Sequence, residues 1–253
     1  MLILLPPSEG KSAPEHGSTM RELSFPDLSK PRADVWKALI AMCKHDPQAA
    51  AKNLGLGVTQ LDEVTANKHL AKAFCGPAID VYTGVLYEAL DAASLNARAR
   101  NRLNKNVAIS SALFGLVRPL DLIPAYRLSG NSTVTSLPPL SKIWRDESSK
   151  VIAHSSGPII DMRSHTYVAL GPIPASCHVR ALTMRVLFEK NGKRSVVSHF
   201  NKATKGELVR ALTLHPTVPK TINEFLKVLT ELGYEWEINE QAKGPALLDL
   251  ITR

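Results

Sequence analysis

The sequence predicts a mixed α/β or α+β fold in a single domain over residues 1–253: a mixed central sheet with helices around it. Three observations carry this. Strand-like and helix-like stretches follow one another without a steady βαβ rhythm, which argues against a doubly wound sheet. Asn191-Gly192 joins two strand-like runs, and Asn-Gly is the strongest short-range hairpin signal because both residues tolerate positive φ. The 253 residues are 44% hydrophobic with no Gly/Ser-rich or Pro-rich linker, enough for one sizeable core.

The elements follow in order. Met1–Leu5 is a buried strand, far too short for a membrane span or signal peptide. A polar loop runs to about Pro31. Val35, Leu39 and Met42 mark a helix over about 33–45. Asp46-Pro47 opens a short helix, with an N-cap followed by proline. It stops at Leu54-Gly55-Leu56-Gly57, and another helix begins near Thr59 and runs towards Phe74. Over Ser94–Asn104, Leu95, Ala99 and Leu103 form an apolar face beside a stripe of Arg98, Arg102 and Lys105. That stripe reads either as a phosphate-facing ridge or as a solvated face. Val107–Ser111 is a strand, Pro138–His154 a helix and Pro158–Met162 a short buried strand. His178–Glu189 and Arg194–Phe200 are the two strands of the hairpin. Helices at Lys202–Leu214 and Thr221–Leu232 follow, the second opened by a Thr221/Glu224 capping box. Tyr234–Asn239 closes as a strand.

The net charge of +8 favours anionic partners, because cations that neutralise phosphates release counterions. Cys43, Cys75 and Cys177 are scattered and odd in number, so neither a disulfide framework nor a zinc site is indicated. No Walker, Rossmann, nucleophile-elbow or His-Glu-x-x-His pattern is present. His154, His165, His178 and His199 lack metal-ligand spacing. The expectation is no cofactor, no metal and no membrane.

Two stretches carry the chemistry. Leu113–Leu128 holds Arg118, Asp121 and Arg127 among apolar residues, with Pro119 and Pro124 breaking any helix. Charges in so apolar a loop are paired or used. Asp121 is expected to satisfy Arg118 or Arg127, freeing the other for an anion. The second stretch is the Gly55/Gly57 turn, which resembles a helix-hairpin-helix unit over about 46–74. Glycine lets the backbone approach a phosphate, and the next helix offers free N–H groups. Lys52, Lys68 and Lys72 would extend that footprint; Gly55 as a simple helix cap is the competing reading. Lys11 follows a Gly turn after the first strand. Tyr82 and Thr83 read as cleft groups or as a core phenol and a cap. Asp161, Arg163, Ser164, His165 and Tyr167 follow a strand end, where clefts collect polar groups. Lys202, Lys205 and Arg210 share one helix.

The landmarks together resemble the YaaA peroxide-stress family. Phe114-Gly115-Leu116-Val117-Arg118-Pro119-Leu120-Asp121-Leu122 and Pro124–Leu128 match its signature, although Ser111-Ala112 lacks one of its glycines. Pro7–Lys11 resembles its first turn, which is shorter in the family. Asp80–Gly84, Phe200–Gly206 and Leu232–Tyr234 match further blocks, so the resemblance spans nearly the whole chain. His165 replaces an acidic residue of the enterobacterial pattern, so no role of that carboxylate transfers. The resemblance implies the family's cantaloupe-type fold with an inserted helix-hairpin-helix. It also implies a cytoplasmic, monomeric protein of the peroxide response that binds double-stranded, possibly damaged, DNA in a basic cleft. The DNA-contacting residues would be Lys11, Lys52, Gly55, Gly57, Lys68, Lys72, Tyr82, Thr83, Arg118, Asp121, Tyr126, Arg127, Arg163, Lys202 and Lys205. The alternative is a glycosylase- or lyase-like enzyme acting on oxidatively damaged DNA.

Overall fold

The computed structural model describes residues 1–195 and 198–253, and the side chains at 58 and 198–200 lie outside the description. In order the elements are β1 (Leu2–Leu5), α1 (Ser29–His45), α2 (Pro47–Asn53), α3 (Leu61–Lys68), β2 (Gly76–Pro77), α4 (Ala78–Val81) and α5 (Val85–Leu90). Next come α6 (Ala97–Asn106), β3 (Val107–Ser111), β4 (Gly115–Val117), β5 (Leu122–Ile123), α7 (Leu140–Ala153), β6 (Ile159–Asp161) and α8 (His165–Ala169). The chain ends with β7 (Ala181–Lys190), β8 (Lys193–Ser195), α9 (Ser198–Leu214), α10 (Ile222–Glu231), β9 (Glu235–Asn239) and β10 (Ala246–Thr252).

The main sheet runs β4-β3-β1-β6-β7-β10-β9, with β8 beside β7. It is mixed, as the sequence predicts. Its middle is parallel: β3, β1, β6, β7 and β10 all run the same way. The antiparallel pairings belong to β4, β8 and β9. Parallel strands are covered on both faces and read as unbroken apolar runs. Leu2–Leu5 and Val107–Ser111 are buried at every position, which is why neither alternates in sequence.

The hairpin falls where Asn-Gly places it. Asn191 and Gly192 have φ of 52° and 72°, the pair of left-handed residues a type I′ turn needs. Its second strand is shorter than the sequence suggests. β8 ends at Ser195, α9 has already begun at Ser198, and Val196 and Val197 lie outside the described residues.

The buried apolar side chains form one core. On it, α5, α6 and α9 pack together, α9 against β7 and α6 against β3. The contact between α5 and α9 is close enough to require glycine. A Cβ at Gly206 would lie 2.9 Å from the Ala89 Cβ and overlap the Leu86 carbonyl oxygen.

Candidate functional site

β1 sits between β3 and β6. The chain leaves β1 towards β3 on one side and leaves β6 towards β7 on the other. Connections that diverge in this way open a crevice outside the carboxyl ends of the strands, the usual binding place in an open α/β sheet. Pro6–Lys11 leaves β1 there, Ser111 ends β3 there, and Asp161–Tyr167 leaves β6 there. A cavity of about 430 Å³ occupies the place, lined among others by Pro6, Ser8, Glu9, Thr83, Tyr167 and Lys202.

Lys11 is fixed beside Tyr82 by an antiparallel bridge. Its Nζ donates to the carbonyls of Ser8 (2.9 Å) and Glu9 (3.3 Å). It also lies 4.4 Å from the Tyr126 ring centroid and 5.4 Å from that of Tyr82, within cation–π range. Burial pushes its pKa down to about 8; Glu9 and Glu63 oppose the shift and Arg127 adds to it. The hydroxyls of Tyr82 and Tyr126 are 2.9 Å apart, and that of Tyr126 is 2.7 Å from Ser111 Oγ. Ser111 Oγ also accepts the Phe114 N–H at 3.0 Å. Burial raises the Tyr82 phenol to about 12 and the Tyr126 phenol well above its ordinary value, so both stay neutral. The Thr83 N–H donates to Ser8 Oγ at 3.0 Å, which ties the first turn to the Tyr82 segment.

Arg127 pairs with Glu9 at 2.9 Å. Its Nε is buried and has no hydrogen-bond partner among the described groups. Asn67 of α3 holds the Arg127 backbone at both ends, donating to its carbonyl (2.7 Å) and accepting its N–H (2.9 Å). On the β6 side, Asp161 and Arg163 form a buried two-pronged pair, Nε–Oδ1 2.8 Å and Nη2–Oδ2 2.6 Å. Lys205 Nζ donates to the Met162 carbonyl at 3.0 Å. Burial lowers its pKa to about 8 against the pull of Asp161. Lys202, one turn earlier on α9, is exposed at the cavity.

Lys11, Tyr82, Thr83, Tyr126, Arg127, Arg163, Lys202 and Lys205 therefore gather in or beside one crevice. Arg118 and Asp121 are organised differently from the expectation. The Arg118 Nη1 donates to the carbonyls of Lys105 (3.3 Å) and Val107 (2.9 Å), and its guanidinium stacks on Phe25. Val107 is the first residue of β3, so Arg118 braces the amino ends of the strands, away from the crevice. Asp121 pairs with neither arginine side chain. It accepts the N–H and hydroxyl of Ser24 and the Arg118 backbone N–H. Main-chain and hydroxyl donors satisfy the carboxylate, and main-chain carbonyls satisfy the guanidinium.

Lys52, Lys68 and Lys72 are exposed on the α2–α3 arm. At its turn, Gly55 has φ +68° and closes α2: the Gly55 N–H reaches the Lys52 carbonyl and the Leu56 N–H that of Ala51. Gly57 is extended (φ −76°), with no need of glycine's left-handed freedom, and its N–H goes to Gln60 Oε1 at 3.1 Å. The first turn of α3 carries Asp62 and Glu63, which already complement its dipole.

The sequence does not mark Asn67 or Glu9 as contacts of Arg127. Asn67 does leave a trace: it falls three residues after Val64, on the face α3 buries. Among the described residues no three of His, Cys, Asp or Glu group to hold a metal, and no helix is long and apolar enough to cross a membrane.

The profile of the family described as Peroxide stress protein YaaA matches residues 1–240. The chain belongs to the YaaA peroxide-stress family. A UPF0246 protein of Streptomyces coelicolor is 40% identical over 257 residues, covering 99% of this chain and 98% of its own. One from Corynebacterium efficiens is 40% identical over 249 residues, covering 96% and 97%. A more distant UPF0246 protein of Idiomarina loihiensis is 29% identical over 167 residues, 63% of each chain. The YaaA match includes every block that builds the crevice, from Pro7–Lys11 to Lys202–Gly206.

Proposed function

We propose that this YaaA-family protein serves the peroxide stress response by binding duplex DNA at the crevice, through phosphates and without strong sequence preference. The observation that carries the reading is charge. Among the described residues, Lys11, Arg127, Arg163, Lys202 and Lys205 outnumber the carboxylates they meet there, Glu9, Asp161 and Glu63. A surplus of cations at a crevice favours a polyanion. Lys202 forms no ion pair among the described residues and is placed to meet a phosphate first. The α2–α3 arm, expected as a helix-hairpin-helix, enters this reading through Lys52, Lys68 and Lys72 rather than through its glycine N–H groups, which are engaged.

Affinity for a short duplex should fall with salt at a log–log slope of about −0.9 per phosphate contacted. Lys202→Glu should weaken binding about tenfold or more while melting as the parent does. Failure of the parent to bind duplex at low salt removes the reading.

One observation favours a second, enzymatic reading. Lys11 is a half-buried amine whose pKa near 8 leaves an appreciable neutral fraction at neutral pH. A neutral amine adds to the C1′ aldehyde of an abasic site, losing water to form an imine. Borohydride reduction in the presence of an abasic duplex would trap that imine in the parent and not in Lys11→Met. No trapped product in the parent eliminates the lyase.

A further inference from the structure

A second basic surface lies on α6. Arg98, Arg102 and Lys105 recur along one side of that helix and, with Asn101, Asn106 and Val218, line a shallow depression of about 550 Å³. Among the described residues no carboxylate lines it. Arg98 and Lys105 are exposed, and neither takes part in an ion pair among the described residues. Arg102 is held in place: its Nη1 donates to the carbonyls of Thr213 and His215. Asn106 Nδ2 in turn caps the Arg102 carbonyl at 2.8 Å. The remaining face of α6 is spoken for, since Arg100 pairs with Asp80 and Leu103 is buried.

The position matters as much as the charge. The depression adjoins Met1, Ile3 and Val107, at the amino ends of β1 and β3. The crevice is at the carboxyl ends of the same strands. Five residues of β3, at about 3.3 Å each, span roughly 15 Å, so the two surfaces lie at opposite ends of the same strands. From Arg98 to Lys105 the helix rises about 10 Å, close to the length of three steps of a nucleic-acid strand. The two asparagines are of the kind that bond phosphate and sugar. A lipid surface fits less well, because Val218 is the one apolar side chain among the described lining residues and interfacial helices need an aromatic or aliphatic face.

We infer that α6 presents a second phosphate-binding surface for nucleic acid, so that one molecule holds two segments at opposite ends of its strands. The α6 surface stands independently of the crevice; only the bridging rests on the proposed function.

The test uses the full chain, the variant R98E/K105E and R98Q/K105Q, which removes the two charges without reversing them. Binding of a dye-labelled 20-base-pair duplex is followed across a salt series. Energy transfer between donor-labelled and acceptor-labelled duplexes reports bridging. R98E/K105E should melt like the parent, lose energy transfer, and show a salt slope shallower by about two, one for each cation removed. R98Q/K105Q, which removes the same two cations without reversing charge, should show the same change of slope with a smaller loss of affinity and of energy transfer. Slope and energy transfer equal to the parent's in both variants overturn the inference. So does a parent that ignores duplex yet binds phosphatidylglycerol vesicles. Lys202→Glu, run alongside, separates the two claims. If it binds like the parent while R98E/K105E binds nothing, α6 is the site and the crevice reading falls.

Discussion

Asp161→Asn keeps the shape of a buried side chain and removes its charge. Asp161 and Arg163 are 2% and 1% exposed, so water cannot replace what is lost. In the parent, Oδ1 accepts from the Arg163 backbone N–H (3.0 Å) and Nε (2.8 Å), and Oδ2 accepts from Nη2 (2.6 Å). Asparagine has one oxygen; its NH₂ must face one of these donors. Stranding a buried partner typically costs about 3–5 kcal/mol. Domains are stable by about 5–15 kcal/mol, so about a fifth or more of the total is at stake. At about 2–4 °C per kcal/mol for a chain of this size, the melting temperature should drop by roughly 10 °C. Urea unfolding should show a lower midpoint with an unchanged slope. Asp161→Leu combined with Arg163→Met should regain most of the loss, because both charges leave the core together. Lys205, now without Asp161, should titrate below its present value of about 8. A loss under about 1 kcal/mol for Asp161→Asn, or a double variant no better than the single one, would refute this account of the β6 end of the site.

Gly206→Ala should destabilise by about 1–3 kcal/mol or more in urea unfolding, because its methyl overlaps the Leu86 carbonyl across the α5–α9 contact. Gly55→Ala should cost about 1 kcal/mol from its left-handed backbone alone, since nothing lies within 4 Å of the added Cβ, while Gly57→Ala should be near neutral; equal melting shifts would contradict the cap. Lys11 and Lys205 titrate near 8 in the fold against 10.5 in the unfolded chain. The unfolded chain therefore holds more protons between about pH 8 and 10.5, and stability should rise with pH across that window, by at most about 1 kcal/mol per unit for each lysine. Lys11→Met should remove its share of that rise. DNA affinity should move the other way, falling from pH 7 to 9 as Lys11 discharges, and a flat profile in the parent would count against Lys11 as a contact.

The apolar runs of β1, β3 and β6 and the Asn191-Gly192 turn are legible because burial and turn chemistry write themselves locally. β10 is not. Asp249 interrupts Leu247–Ile251, and only the folded chain shows that carboxylate paired with Arg185 on the neighbouring β7. The site divides in the same way. Lys11, Tyr82, Tyr126 and Arg127 come from three separate stretches, and each is already conspicuous as a polar group in an apolar or Gly-rich context. The partners of Arg118 are invisible in sequence, because main-chain carbonyls carry no residue identity. Glu9 in place of Asp121 as the mate of Arg127 follows from which turn β1 happens to face, a long-range fact that spacing does not encode. The parallel centre of the sheet escapes for a similar reason: strand direction is set by crossovers, and the hairpin reports only on β7 and β8.

Asn67 behaves as a fragment of strand borrowed from a helix, since one amide side chain satisfies both backbone groups of Arg127 sixty residues away in sequence. An element that closes so long a loop with two hydrogen bonds does not come loose gradually. The amide proton of Arg127 should exchange with solvent only when α3 lets go, so the arm and the crevice wall open as one cooperative unit. The order of Arg127, and with it the shape presented to any ligand, thus depends on the local stability of a peripheral helix as well as on the sheet that holds its neighbour Tyr126 through Ser111.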